Sequence, residues 1–410
     1  MISEWQPEPL VPSLDEKARK VLESIPTISG KIGTKIIVDG KQMDNLSSYN
    51  FIGAMGLDEI NKKAVETMRN YGVGTCGPPG FYGTLDVHID LENKIAKFLG
   101  VPAAILYSQN FAAVSSAIPA FAKRGDIIVV DEGVNFAVQK GVDISRANTF
   151  HFRHNSMEDL ERVLRDVQKK FAKKPLTRRF IVVEGLYQNI GDVCPLPKLL
   201  ELKRKYKYRL IVDETFSIGA IGSKGAGVSD HFSISANEID IITGSFSHAF
   251  CSNGGFCAGS AEIVDHQRLS GQGYCFSASM PALMTVSASE AINYLEQNPS
   301  IMTRLRENVA TIYKALKPIS QLLIESDPVS PIIHLRIKGE LSDEEDLLEA
   351  IKKECLKKGI FVVNARYVNH QELHQKKPSI RLSLSAGFSK NEIEKIASNL
   401  KSAVQSVLYK

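Results

Sequence analysis

The stretch RLIVDETFSIGAIGSKGAGVSDHFSISANEIDIITGSFSHAF (residues 209–250) opens and closes on short, apolar, β-branched runs, RLIVD and IDIIT. Runs of this kind, bounded by turn residues, read as strands buried on both faces. FIVVEG (180–185) and DIIVVDEG (126–133) upstream have the same character. Between them, SMED (156–159) is a capping-box pattern, followed by Leu160, Val163, Leu164, Val167 and Phe171 at helical spacing. Strands alternating with helices imply a mostly parallel sheet covered on both faces, an α/β fold.

Working outward, Asp90 is expected to start an amphipathic helix carrying Leu91, Ile95, Phe98 and Leu99, closed by Gly100. The opening segment is punctuated by Pro7, Pro9 and Pro12 and reads as an extended arm over residues 1–50. A large domain is expected over 51–297 and a smaller C-terminal α/β domain over 298–410. In the latter, residues 342–359 read as a helix capped by Ser342 with Glu345. IFVVNARY (360–367) and SIRLSLSA (379–386) read as strands, and 389–408 as a final capped helix.

Composition excludes several classes. With 43% hydrophobic and 23% charged residues and a net charge of +4, the chain is an ordinary globular protein without the basic excess of a nucleic-acid binder. The runs KRKYKYR (203–209) and KKFAKK (169–174) read as solvated helix faces. Six scattered cysteines form no CxxC pair, so neither a metal site nor a disulfide framework is expected. Residues 101–122 are uncharged and long enough to span a bilayer. Pro102, Pro119 and Ser108-Gln109-Asn110 argue instead for a buried loop and helix.

Ligands of open parallel sheets bind beyond the carboxyl ends of strands. Asp213 closes one such strand, and the GSFSHAF turn, with His248, closes another 35 residues later. A carboxylate at one strand end and a nucleophile at another is what a pyridoxal-phosphate site needs. The carboxylate keeps the pyridine nitrogen protonated, and a lysine amine forms the Schiff base.

Over nearly its whole length the chain resembles the α-oxoamine synthases, fold-type I pyridoxal-phosphate enzymes that join an amino acid to an acyl thioester with decarboxylation. Residues 211–232, 244–256 and 273–282 carry the likeness. EWQPEPLVP (4–12), residues 71–92, 178–197 and 265–281 are similar to one branch, the lysine-less first long-chain-base subunits of serine palmitoyltransferase. The resemblance implies an aspartate-aminotransferase-like large domain. It implies that His248 stands at the Schiff-base lysine position, Asn135 at the ring-stacking histidine, Phe216 at the histidine contacting the ring hydroxyl, and Asn110 at the glycine of the phosphate turn. Asp213, Ser245 and Ser247 remain as vestigial cofactor contacts, and Arg381 matches the arginine for the substrate carboxylate. An imidazole has no primary amine and cannot form an aldimine.

The resemblance further implies a heterodimer with a lysine-bearing subunit that holds the pyridoxal phosphate, at the cytosolic face of the endoplasmic reticulum membrane. Attachment would run through the partner or an N-terminal anchor. Within GTCGPPGFYGT (74–84), Cys76 and Gly77 are expected at the interface, Cys76 as a small buried residue. Ser277 and Ser279 are expected as hydroxyl donors toward the partner's cofactor phosphate. Glycines 74, 77, 80 and 83 are expected to allow tight turns. Two other readings stand beside this one: an active homodimer using another lysine, Lys224 being the nearest, and a regulatory binding protein that touches no active site.

Overall fold

The computed structural model describes residues 3–11, 13–23, 25–339, 343–368, 371–373 and 377–409. Its centre is a seven-stranded sheet. In spatial order the strands are Ala103–Tyr107, Gly255–Gly259, Ile241–Ser245, Arg209–Asp213, Arg179–Glu184, Ile127–Asp131 and Asn148–Phe152. Gly255–Gly259 runs antiparallel to both neighbours, and the other pairings are parallel. Four of the expected strands lie side by side, and their apolar residues are almost fully buried. The register sets Glu184 opposite Asp213 and Asp213 opposite Thr243, so three polar side chains meet at the carboxyl ends of adjacent strands.

Residues 101–122 are buried, as an edge strand, Ala103–Tyr107, followed by the helix Asn110–Phe121, rather than a loop and helix. Among the described residues no helix is long and apolar enough to cross a membrane.

Three local expectations are corrected. The helix expected from Asp90 begins at Asp86. The amide N–H of Leu85 donates to His88 Nδ1 at 2.9 Å, and His88 Nε2 donates to the carbonyl of Met280 at 2.6 Å. A histidine cap fixed by a tertiary bond carries no local sequence signature. Ser156 caps its helix through the Asp159 amide, but the Asp159 carboxylate turns to the Arg153 amide, so the box is only half closed. In the basic run 203–209, Arg204, Lys205 and Arg209 are solvent-exposed as expected but also paired, with Glu238, Glu161 and Asp240, whereas Lys203 is largely buried against Asp240.

The first fifty residues contain the helix Glu16–Glu23 and the hairpin Lys35–Val38/Lys41–Asn45. The hairpin pairs in parallel with Ile360–Phe361 from the other end of the chain. The IFVVNARY run therefore divides between two sheets, since Val363–Asn364 joins Ile380–Ser383 instead. The helix Glu344–Lys357 follows Asp343, and the Ser342 cap lies outside the described residues. The final helix, Lys390–Leu408, has the full Ser389/Glu392 capping box.

One half-buried cation ties the sheet to its surroundings. His154 donates through Nδ1 to Asp131 and through Nε2 to Asp192, both at 2.8 Å, with Tyr187 edge-on 4.5 Å away. Burial alone would lower the imidazole pKa, but the two carboxylates override it and raise it to about 10. Removing one member of such a set leaves uncompensated buried charge. His154→Gln is therefore expected to cost about 3–5 kcal/mol in urea denaturation. A group whose folded pKa is raised stabilises fully below its unfolded pKa and loses that contribution as pH rises through the folded value. The difference between wild type and variant should thus be largest near about pH 6 and shrink toward about 10.

Candidate functional site

Asp213 is buried at the end of its strand with no cation beside it. Its Oδ1 accepts from the Thr215 hydroxyl at 2.7 Å and the Thr243 hydroxyl at 3.0 Å. Its Oδ2 accepts from Asn135 Nδ2 at 3.0 Å. Burial pushes its pKa up, against the pull of these bonds. Asn135 serves three neighbours at once. Its Oδ1 caps the helix Phe136–Ser145 by accepting from the amides of Ala137 and Val138, and its own amide donates to Glu184 Oε1 at 2.5 Å. Asn is a favoured N-cap, so the helix start follows from sequence, but the bond to a carboxylate 78 residues away does not.

His248 lies in the turn after Ile241–Ser245 and shares a hydrogen bond with Ser245 Oγ at 3.2 Å. The Phe216 ring is 4.5 Å and the Tyr49 ring 5.1 Å from the imidazole. Burial, helped by the charge of Arg381, lowers the His248 pKa to about 4, so the ring is neutral at physiological pH. Ser245 also accepts from the Ser247 amide at 2.9 Å, while the Ser247 hydroxyl reaches toward the Gly254 carbonyl at 3.5 Å. Asn110 opens its helix against Gly255, where an added Cβ would come within 3.1 Å of the Asn110 Cα. Arg381 stacks on the Tyr49 ring at 4.4 Å, bonds the Tyr49 hydroxyl and donates to the Ser47 carbonyl. The structure thus gathers Asp213, Asn135, Phe216, Ser245, His248 and Arg381 at one end of the sheet. Sequence reasoning missed Tyr49, which had no motif to mark it, and Glu184, visible only as the last residue of FIVVE.

A second group forms around the glycine-rich loop. The Ser279 amide donates to the Gly77 carbonyl at 3.0 Å and the Thr75 hydroxyl to the Ser279 carbonyl at 3.0 Å, which zips residues 75–77 to the 277–280 segment. Only two of the four glycines are sterically required there: a Cβ on Gly83 would sit 2.0 Å from the Gly77 carbonyl oxygen, and one on Gly77 2.9 Å from that of Phe81, whereas Gly74 and Gly80 meet open space. Cys76 has a left-handed φ of 58° and is exposed in this chain, not buried by it. Ser277 is half-buried and Ser279 buried.

Residues 41–400 match the family of aminotransferase class I and II. The chain is 43% identical, over 100% of its length and 87% of the relative's, to serine palmitoyltransferase 1 of Dictyostelium discoideum. It is 42% identical, over 100% of its length and 85% of the relative's, to long chain base biosynthesis protein 1b of Oryza sativa subsp. japonica. The chain belongs to the serine palmitoyltransferase 1 family. The fold is shared with serine palmitoyltransferase from S. paucimobilis bound to a pyridoxal phosphate–myriocin aldimine, at a TM-score of 0.86 and 23% identity over 96% of this chain and 97% of that one.

The residues that this family member presents do not fit a covalently held pyridoxal phosphate. His248 offers no amine. Both Asp213 oxygens already have donors, Oδ2 from Asn135 and Oδ1 from the Thr215 and Thr243 hydroxyls. Phe216 and Tyr49 crowd the imidazole. Lys224 is exposed on a turn whose glycine, Gly225, packs against Leu295 and Met302. Restoring the amine alone therefore leaves the ring unmatched. His248→Lys should yield no serine-dependent turnover from this chain by itself, and borohydride reduction of wild type followed by mass spectrometry should find no phosphopyridoxyl adduct.

Proposed function

We propose that this chain is the non-catalytic but required subunit of a heteromeric serine palmitoyltransferase, which condenses L-serine with palmitoyl-CoA to 3-ketosphinganine at the start of sphingolipid synthesis. The observation that carries this reading is the imidazole at 248 with Asn135 locked onto Asp213, in a chain that keeps the rest of the fold. A lysine-bearing partner subunit holds the pyridoxal phosphate and, with it, the electron sink of the reaction. Asp213, Ser245 and Ser247 are vestiges of a cofactor site, and Arg381, engaged by Tyr49 and Ser47, is a vestige of a carboxylate site. The complex sits at the cytosolic face of the endoplasmic reticulum membrane, attached through the partner or a segment of this chain's own.

This chain's contribution to the partner's site is the surface built by 74–84 and 277–280, through Cys76, Gly77, Ser277 and Ser279. Two features support that assignment. Cys76 and Tyr82 both hold left-handed φ values, at 58° and 67°, a conformation that costs side-chain-bearing residues energy and clusters at functional surfaces. Phe81, Tyr82 and Phe276 are exposed here, Tyr82 completely, as aromatic anchors of protein interfaces are before their partner arrives.

The test is co-expression with a lysine-bearing subunit. Turnover of serine and palmitoyl-CoA is expected from the pair and from neither chain alone. Co-purification without any gain in the partner's activity would favour a purely regulatory role and end this reading.

Cys76→Trp separates interface from fold. Because Cys76 is exposed, the isolated chain should melt within about 0.5 kcal/mol of wild type. In the heteromer the indole strains the shared site, where displacements of about 1 Å cost on the order of a hundredfold in rate. A loss of roughly ten- to a hundredfold in kcat/KM is expected, with assembly checked by gel filtration. Unchanged kinetics in an intact complex would place 74–84 away from the shared site.

A further inference from the structure

Glu184 and Asp213 end adjacent parallel strands, directly opposite one another in the register, and are 0% and 2% exposed. Among the described residues, every donor that reaches them is neutral. Glu184 accepts from the amides of Asn135 and Gln188, and Asp213 from Asn135 Nδ2, the Thr215 amide and the hydroxyls of Thr215 and Thr243. Other titratable groups face the pair from each side: Tyr187 on the turn after the Glu184 strand, Tyr49 from the segment before Phe51, and Glu214 just beyond Asp213. None brings a positive charge. Arg381 is spent on Tyr49 and Ser47, and His248 is neutral.

Two carboxylates side by side in a dry interior do not both ionise, because each pays for desolvation and repels the other. We propose that Asn135, together with one proton shared by Glu184 and Asp213, replaces in this chain what a pyridinium ring supplies to such an aspartate. The Asn135 amide takes the hydrogen-bond position of the ring N–H, and the proton makes up the missing positive charge. Asn135 is a positioning residue in this arrangement. By bonding both carboxylates while capping Phe136–Ser145, it ties them into one buried unit on adjacent strands. The direction of titration agrees. Burial, and then the neighbouring Asp213, push the Glu184 pKa up to about 8.

The sign for stability follows. The folded state binds this proton more tightly than the unfolded chain, whose glutamates titrate near ~4.3. Stability therefore falls as pH rises between that value and about 8. This rests on the reading that the chain holds no cofactor, but the test reads protons and melting rather than turnover, so failure of one is distinguishable from failure of the other.

Thermal melts of the full chain from about pH 5 to about pH 9, wild type against Glu184→Gln, test the shared proton. Glutamine keeps the shape and still accepts from the Asn135 amide, but it cannot ionise. The melting temperature of wild type should fall more steeply with pH than that of the variant, which should be the more stable of the two above about pH 8. His154 contributes the same slope to both and cancels. Infrared spectroscopy of wild type, which does not depend on the variant folding, should show a protonated-carboxyl band that outlasts the loss of the Glu214 proton near about 7 and disappears as pH rises through about 8. Asn135→Leu should shift the pH at which that band is lost. Parallel melting slopes for wild type and Glu184→Gln, or no protonated-carboxyl band that outlasts the Glu214 proton, would overturn the proposal.

Discussion

A carboxylate buried at the end of a central strand without a cation is the constraint around which this molecule is arranged. Asp213 is answered by two threonine hydroxyls, a backbone amide and the side chain of Asn135. The donors come from three places: Thr215 in the turn after its own strand, Thr243 in the neighbouring strand Ile241–Ser245, and Asn135 at the start of the helix Phe136–Ser145. Leaving any of these bonds unmade in a dry site would cost the desolvation of a charged group. The sheet register, the helix entry and the position of the 135 side chain are therefore fixed together.

The histidines of this region show how differently one residue type is used. His154, between two aspartates, is held as a cation and clamps Asp131 to Asp192. His248 and His334 are both lowered to about 4 by burial and act as neutral packing groups, His334 bonded to Ser379 and the Gln188 carbonyl. The contrast is set by the neighbours and not by depth, since each ring is largely enclosed. At the turn after Ile241–Ser245 the neutral imidazole of His248 packs against Phe216 and Tyr49 and offers no primary amine.

The glycine-rich loop is arranged on the opposite principle. Around Asp213 the chain satisfies itself, whereas at 74–84 it leaves aromatic rings exposed and holds Cys76 and Tyr82 in a strained conformation. Gly83 passes so close to the Gly77 backbone, and Gly77 to the Phe81 carbonyl, that no side chain fits at either position. A rigid loop that presents apolar rings outward suits assembly better than solvation.

The α/β alternation, the buried strands and the Ser389 helix cap were all legible in the sequence, because apolar periodicity and capping are local physical signals. So was the absence of an amine at 248, since that is a property of the residue alone. The start of the helix at Asp86 was not legible, because His88 caps it only with Met280 in place. Nor was the union of the hairpin ending at Asn45 with Ile360–Phe361, which joins opposite ends of the chain. The meeting of Glu184, Asp213 and Asn135 likewise belongs to the tertiary structure alone. Asn135 and Asp213 were each marked in the sequence, but nothing there joins them to each other or to Glu184. Only the parallel register, which brings strand ends far apart in sequence to hydrogen-bonding distance in the interior, turns them into a single buried unit.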